Sequence, residues 1–79
     1  MELRDEIIEK ITERLGAILG DGNYLEHTSF VSLGMKSVNY SQLTTGLEDE
    51  FDVEIPFMDF KRKETIGEAA DYVCQLVEG

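Results

Sequence analysis

Apolar residues recur every three or four positions through "ELRDEIIEKITERLGAIL", at Leu3, Ile7, Ile8, Ile11, Leu15 and Ile18, with acids and bases filling the gaps. That spacing predicts an amphipathic helix with one buried stripe, ending near Gly20 and Gly22. Glu6 stands four residues before Lys10 and adds a small local gain, while Lys10 and Arg14 oppose each other at the same spacing. Periodicity then disappears from about Leu19 to Lys36, where "GDGNYLEHTS" is rich in residues that favour turns. A loop this long in so short a chain is expected to pack down, through Tyr24, Leu25, Phe30, Val31 and Leu33.

Helical spacing returns after Ser37, where Tyr40, Leu43, Leu47 and Phe51 predict a second helix from about Ser37 to Phe51. Its end carries Glu48, Asp49 and Glu50, with Asp52 and Glu54 just beyond, an arrangement the helix dipole disfavours. Pro56 lacks an amide donor and biases Ile55 towards extended backbone, leaving room for one short helical turn from Phe57 to Lys61. Thr65 and Glu68 form a T-x-x-E capping box, and Ile66, Ala69, Ala70, Val73, Leu76 and Val77 supply the apolar face of a last helix. The expected architecture is all-α: a small bundle of three main helices plus one short helix, with a long first loop, forming a single domain over residues 1–79.

Charge narrows the function classes. Seventeen Asp and Glu oppose seven Lys and Arg, for a formal charge of −10. Such a surface repels nucleic acid and anionic membranes, and favours partners that present basic patches. No apolar run approaches the ~20 residues that span a bilayer, and "MELRDEIIEK" lacks the apolar segment of a signal peptide. The expectation is a cytoplasmic monomer, and the opening Met1 with no flanking linker reads as a free-standing protein. The one cysteine, Cys74, has no internal disulfide partner and fits a reducing compartment.

The residues with chemical interest gather in "SFVSLGMKSVNYSQL". Serine is a favoured N-cap, so Ser37 at the start of a helix has a purely structural explanation. It has a second one: a helix N-terminus presents free amides and partial positive charge, which suits a phosphate on that serine. Gly34 allows close approach to the backbone, and Lys36 adds a positive charge beside it.

Three stretches taken together, "FVSLGMKSV", "GLEDEFDVEIP" and "TIGEAADYV", resemble the acyl carrier and peptidyl carrier protein family over nearly the whole chain. The resemblance implies a carrier rather than an enzyme. Its serine, after a loop ending L-G-x-x, bears a covalent 4'-phosphopantetheine arm, and the match falls on Ser37. The arm holds an acyl or aminoacyl group as a thioester and presents it to partner enzymes. The implied partners are a phosphopantetheinyl transferase, an acyl or aminoacyl ligase, and downstream transferases or synthases with basic docking patches. Met35, Lys36, Val38, Asn39, Gln42, Glu48 and Asp49 are the residues placed to meet them.

Departures from the family pattern refine this. Fatty acid carriers usually read D-S-L at the serine, where this chain has Lys36, Ser37 and Val38, and Asn39 and Gln42 stand where carboxylates are common. A generic fatty acid synthase that reads those carboxylates would dock less well, which points to a carrier of a specialised lipid, polyketide or nonribosomal peptide pathway. "IPFMDFKRKETIGEA" resembles D-alanyl and peptidyl carriers as much as fatty acid ones, and an acidic interaction module that keeps the fold without the arm is the other class.

No other residues form a convincing site. Cys74 sits at the edge of an apolar face with no base to activate it, and His27 has no partner for metal binding or a triad. "DGNYLE" fails the calcium-loop pattern at its sixth position, which is Glu26 and not glycine. The Lys61, Arg62, Lys63 run reads as a solvated face.

Overall fold

The structure is a computed structural model that describes residues 2–79, so Met1 lies outside the described residues. Four helices follow in order: α1 (Leu3–Leu19), α2 (Ser37–Phe51), α3 (Phe57–Lys61) and α4 (Ile66–Glu78). The expected three main helices and one short one are all present. Helix α1 buries Ile7, Ile11 and Leu15, α2 buries Tyr40, Leu43 and Leu47, and α4 buries Ile66, Ala69, Ala70 and Val73 against them. Five-residue α3 contributes one anchor, Phe60, which is fully buried.

The long loop is tied down at its far end by the start of α4. The first amides of any helix lack partners within it. Here Ile66 N donates to Thr28 O at 3.1 Å, Gly67 N donates to Glu26 O at 2.7 Å, and Glu68 N donates to the Thr65 hydroxyl. Glu68 in turn accepts from the Thr65 and Glu64 amides, completing the expected capping box. Phe30 N donates to Glu64 O at 2.9 Å, and Ser29 pairs with Thr65 in an isolated antiparallel bridge. Gly67 permits this closeness, because a Cβ there would meet Glu26 O at 3.1 Å and Glu26 Cγ at 2.7 Å. Arg4 of α1 clasps both Glu26 and Asp71, so three segments share one guanidinium.

Only part of the loop packs as its composition predicts. Phe30 is fully buried, edge-on to Tyr40 with centroids 5.7 Å apart and tilted against Phe60 at 6.2 Å, while Tyr24 and Leu33 pack partly against the core. Val31 is 82 % exposed and Leu25 43 % exposed, contrary to expectation. Val31 follows Phe30 in a turn closed by Leu33 N donating to Phe30 O, and it projects from the corner while Phe30 points inward.

The acids at the end of α2 also differ from a bare cluster. Glu50 reaches Lys10 of α1 at 3.1 Å, and Glu48 Oε2 accepts the Ile55 amide at 2.8 Å where the chain turns towards Pro56. Lys10 pairs with Glu50 and Glu13, and these bonds, with Glu50 foremost, hold its ammonium above the ordinary lysine range. The Glu6 to Lys10 pairing expected from spacing is not formed. Asp52 ends the helix in the left-handed region at φ 51.

Two substitutions test this account by urea unfolding. Gly67→Ala should destabilise the fold by about 1–3 kcal/mol, the range for overpacking a close contact; a change under about 0.5 kcal/mol would show that the loop yields freely. Phe30→Ala should lose about 3–5 kcal/mol, against less than about 0.5 kcal/mol for Val31→Ala next door. Equal losses would place the loop's anchor elsewhere.

Candidate functional site around Ser37

The turn that opens at Phe30 delivers the chain to α2. Leu33 N and Met35 N both donate to Phe30 O, at 3.1 and 3.4 Å, and Gly34 between them lies at φ 71. That left-handed conformation favours glycine. The space where a Cβ would stand is open, so Gly34 serves the backbone geometry and leaves the approach to the next residues clear.

Lys36 is the N-cap residue and Ser37 the first residue inside the helix. This corrects the reading of Ser37 as a cap. Asn39 does the capping by reaching back, its Oδ1 accepting from Lys36 N at 2.9 Å; the lysine ammonium has no acceptor to complete a reciprocal pair. The Ser37 hydroxyl is therefore free of its own helix. It is exposed, and its Oγ accepts from Lys61 Nζ of α3 at 2.9 Å.

Among the chain's four serines this arrangement is particular to Ser37. Ser32 spends its hydroxyl proton on Ser29 O at 2.7 Å, Ser29 sits half-buried in the bridge to Thr65, and Ser41 lies a turn further along α2. Ser37 alone stands at the junction of loop and helix with an ammonium on its oxygen.

The other residues expected at the site divide into two groups. Val38, 60 % exposed, lines an open groove of ≈ 380 Å³ together with Gln42, Asp49 and Arg14 of α1. Gly46 lets Arg14 lie close against α2 here, since a Cβ there would stand 2.9 Å from Arg14 Nε. Lys36 is exposed at the helix start. Met35, Asn39 and Glu48 have internal work instead: Met35 is half-buried against the core, Asn39 caps the helix, and Glu48 holds Ile55.

Lys61 is the residue that sequence reasoning missed. Its run with Arg62 and Lys63 reads as solvated charge, and no local spacing reveals that α3 folds back to place Lys61 beside a serine 24 residues away. Pro56 and buried Phe60 are the available signals, since together they fix where α3 sits. Lys63 differs, lying 4.7 Å over the Tyr72 ring.

Among the described residues no group of His, Cys, Asp and Glu is arranged to hold a metal ion. Among the described residues no helix is long and apolar enough to cross a membrane. Cys74 donates to Glu78 Oε1 at 3.0 Å, and that bond, with burial, pushes its thiol above the ordinary range.

A protein-family profile described as the phosphopantetheine attachment site matches residues 5–73. A chloroplastic acyl carrier protein of Brassica napus is 30 % identical over 73 residues, covering 92 % of this chain and 54 % of its own length, and one from Brassica campestris matches equally. The chain thus spans about half the length of these plant relatives. Among solved structures, a type-II acyl carrier protein from Streptomyces verticillus involved in bleomycin biosynthesis superposes with a TM-score of 0.82 at 22 % identity, covering 91 % of this chain and 87 % of that one. The acyl carrier protein of Thermotoga maritima gives 0.78 at 25 % identity, over 95 % and 91 % of the two chains.

The raised Cys74 thiol makes a prediction about reactivity. At pH 8 alkylation by iodoacetamide should be slow and should accelerate as pH rises, while Glu78→Gln should speed it severalfold by removing the nearby negative charge and replacing an anionic acceptor with a neutral one. An unchanged rate in that variant would assign the protection to burial.

Proposed function

The chain belongs to the phosphopantetheine-attachment family of carrier proteins, whose members bear 4'-phosphopantetheine covalently on a serine, and from that premise we propose that Ser37 is the attachment point. The observation that carries the assignment is the exposed Ser37 hydroxyl, one residue inside α2, uncommitted to its own helix and approached across open space at Gly34. The residues present fit the group. A phosphodiester brings a negative charge, and the flanking cations are Lys36 in sequence and Lys61 in space, against a chain whose total charge is −10.

Attachment would form a bond from Ser37 Oγ to the pantetheine-side phosphorus of coenzyme A and break the pyrophosphate bond, releasing adenosine 3',5'-bisphosphate, with the hydroxyl proton passing to a base on the transferase. When bound, the arm supplies a thiol that holds an acyl or aminoacyl group as a reactive thioester. The protein's own part is to hold the serine at a rigid helix start and to offer a docking face beside it. The tether raises the local concentration of cargo at each partner.

The docking face in this reading follows the groove of Val38, Gln42, Asp49 and Arg14, with exposed Lys36 at the start of the same helix. It is less acidic than a run of carboxylates, because Asn39 and Gln42 are neutral and Glu48 and Glu50 are engaged within the fold. Arg14 and Lys36 add positive charge to it. Such a mixed surface favours partners with matching mixed charge over ones that rely on basic patches alone, which supports service in a specialised pathway.

Intact-mass spectrometry after incubation with coenzyme A and a broad-specificity phosphopantetheinyl transferase tests the assignment. The wild type should gain one phosphopantetheine and Ser37→Ala none. That variant should unfold within about 0.5 kcal/mol of wild type, since Asn39 and not Ser37 caps the helix. Loading that persists in Ser37→Ala moves the site to another serine. A wild type refractory to several transferases would leave an unmodified interaction module as the better reading.

A further inference from the structure

We infer that Lys61 is a positioning residue for the prosthetic arm: its ammonium holds the phosphodiester attached to Ser37 against α3, so that the arm leaves the protein in a preferred direction. The inference rests on Ser37 being the attachment point.

The geometry is set before any arm is present. Lys61 Nζ lies 2.9 Å from Ser37 Oγ, and the phosphorus would be bonded to that same oxygen. An ammonium is a compact charge with three donors on a flexible stem, so a small rotation shifts it from Oγ to a phosphoryl oxygen. The exchange replaces a neutral acceptor by an anionic one, and charge-assisted hydrogen bonds are the stronger kind.

Lys61 is also free for this role and fixed enough to perform it. Among the described residues it takes part in none of the ion pairs that occupy Arg4 and Lys10, and the neighbouring acid, Asp59, faces the Tyr72 hydroxyl at 3.4 Å. Its stem is rooted beside fully buried Phe60, and its ammonium lies 5.9 Å from the centre of the Phe57 ring. Cations suit the last turn of a helix, and Lys61 is the final residue of α3. Lys36, although adjacent to Ser37 in sequence, makes no hydrogen bond to its hydroxyl, which is taken by Lys61.

The consequence is directional. An anion bound from the α3 side draws the first atoms of the arm away from the groove of Val38, Gln42 and Asp49, leaving that groove open to a partner while the arm is held. A partner that offers its own cations to the phosphate competes with Lys61 and releases the arm at the moment of docking.

The test compares apo and loaded forms of wild type, Lys61→Gln, Lys36→Gln and Lys63→Gln, with loading confirmed by intact mass. Taking the difference between loaded and apo forms within each variant cancels any effect of the substitution on the apo protein. Loading should raise the thermal midpoint of wild type and Lys63→Gln by about 1–4 °C, as an exposed ion pair does in a chain this size, and should raise that of Lys61→Gln by less than about 1 °C. The phosphodiester 31P resonance of loaded Lys61→Gln should differ from that of wild type, and wild type should move towards it in about 1 M salt. A loading-dependent rise that survives in Lys61→Gln, a 31P resonance unmoved by that change, or the same effects from Lys36→Gln in its place would overturn the inference while leaving the carrier assignment intact. A wild type that accepts no arm would remove both.

Discussion

The rest of this fold depends on the way the first turn of α4 satisfies its amides. Ile66 and Gly67 donate to carbonyls of the long loop, and only Glu68 is served by the local cap at Thr65. A helix start buried without partners would be costly, and a loop of this length would be costly to order without contacts. Each supplies what the other lacks. Because the loop is pinned at Glu26, Thr28 and Phe30, the Phe30 ring is driven between Tyr40 and Phe60, and the turn closed on the Phe30 carbonyl follows as a matter of geometry. Ser37 is seven residues beyond that ring, and its place on the surface is inherited from it.

Electrostatics shapes the surface more than it stabilises the interior. The ion pairs of Arg4 and Lys10 are at least partly exposed and individually weak, and their value is in linking segments distant in sequence. They also remove two of the seven cations from service. Arg14 lies over Gly46, and Lys63 over Tyr72, which leaves Lys36, Lys61 and Arg62 as the less encumbered basic side chains. Two of these three flank the serine. In a strongly acidic protein, a local excess of positive charge at the hydroxyl favours the approach of an anionic group there, while the more distant acids repel it from elsewhere.

How much of this was legible beforehand varied with the range of the interactions. Helices α1, α2 and α4 are written in local spacing, and the Thr65 capping box is a four-residue signal, so both could be read directly. The resemblance that singled out Ser37 likewise rests on short runs at fixed separations. What sequence could not convey was relative placement. Val31 looks like core material and is turned outward by its position in a turn, Ser37 looks like a cap and is displaced from that role by Asn39, and Lys61 looks like free charge until α3 folds back. The acids closing α2 seemed unfavourable for the same reason, because Lys10 and the Ile55 amide come from other parts of the chain.

The bonding of the loop to α4 has a consequence for the segment that leads to Ser37. The Phe30 carbonyl accepts amides that shape the approach to Ser37, while the Phe30 amide is bound to Glu64, so one peptide pair joins the serine's turn to the root of the last helix. Exposing the amides of Ile66 and Gly67 to solvent requires the loop to lift, and lifting it withdraws Phe30 from the core. The amides of Phe30, Ile66 and Gly67 are therefore bound in one connected set that opens as a unit, at a higher cost than the fraying of an ordinary surface loop. The segment that leads into Ser37 is thereby tied through Phe30 to the root of the last helix, and cannot move independently of it without breaking these bonds.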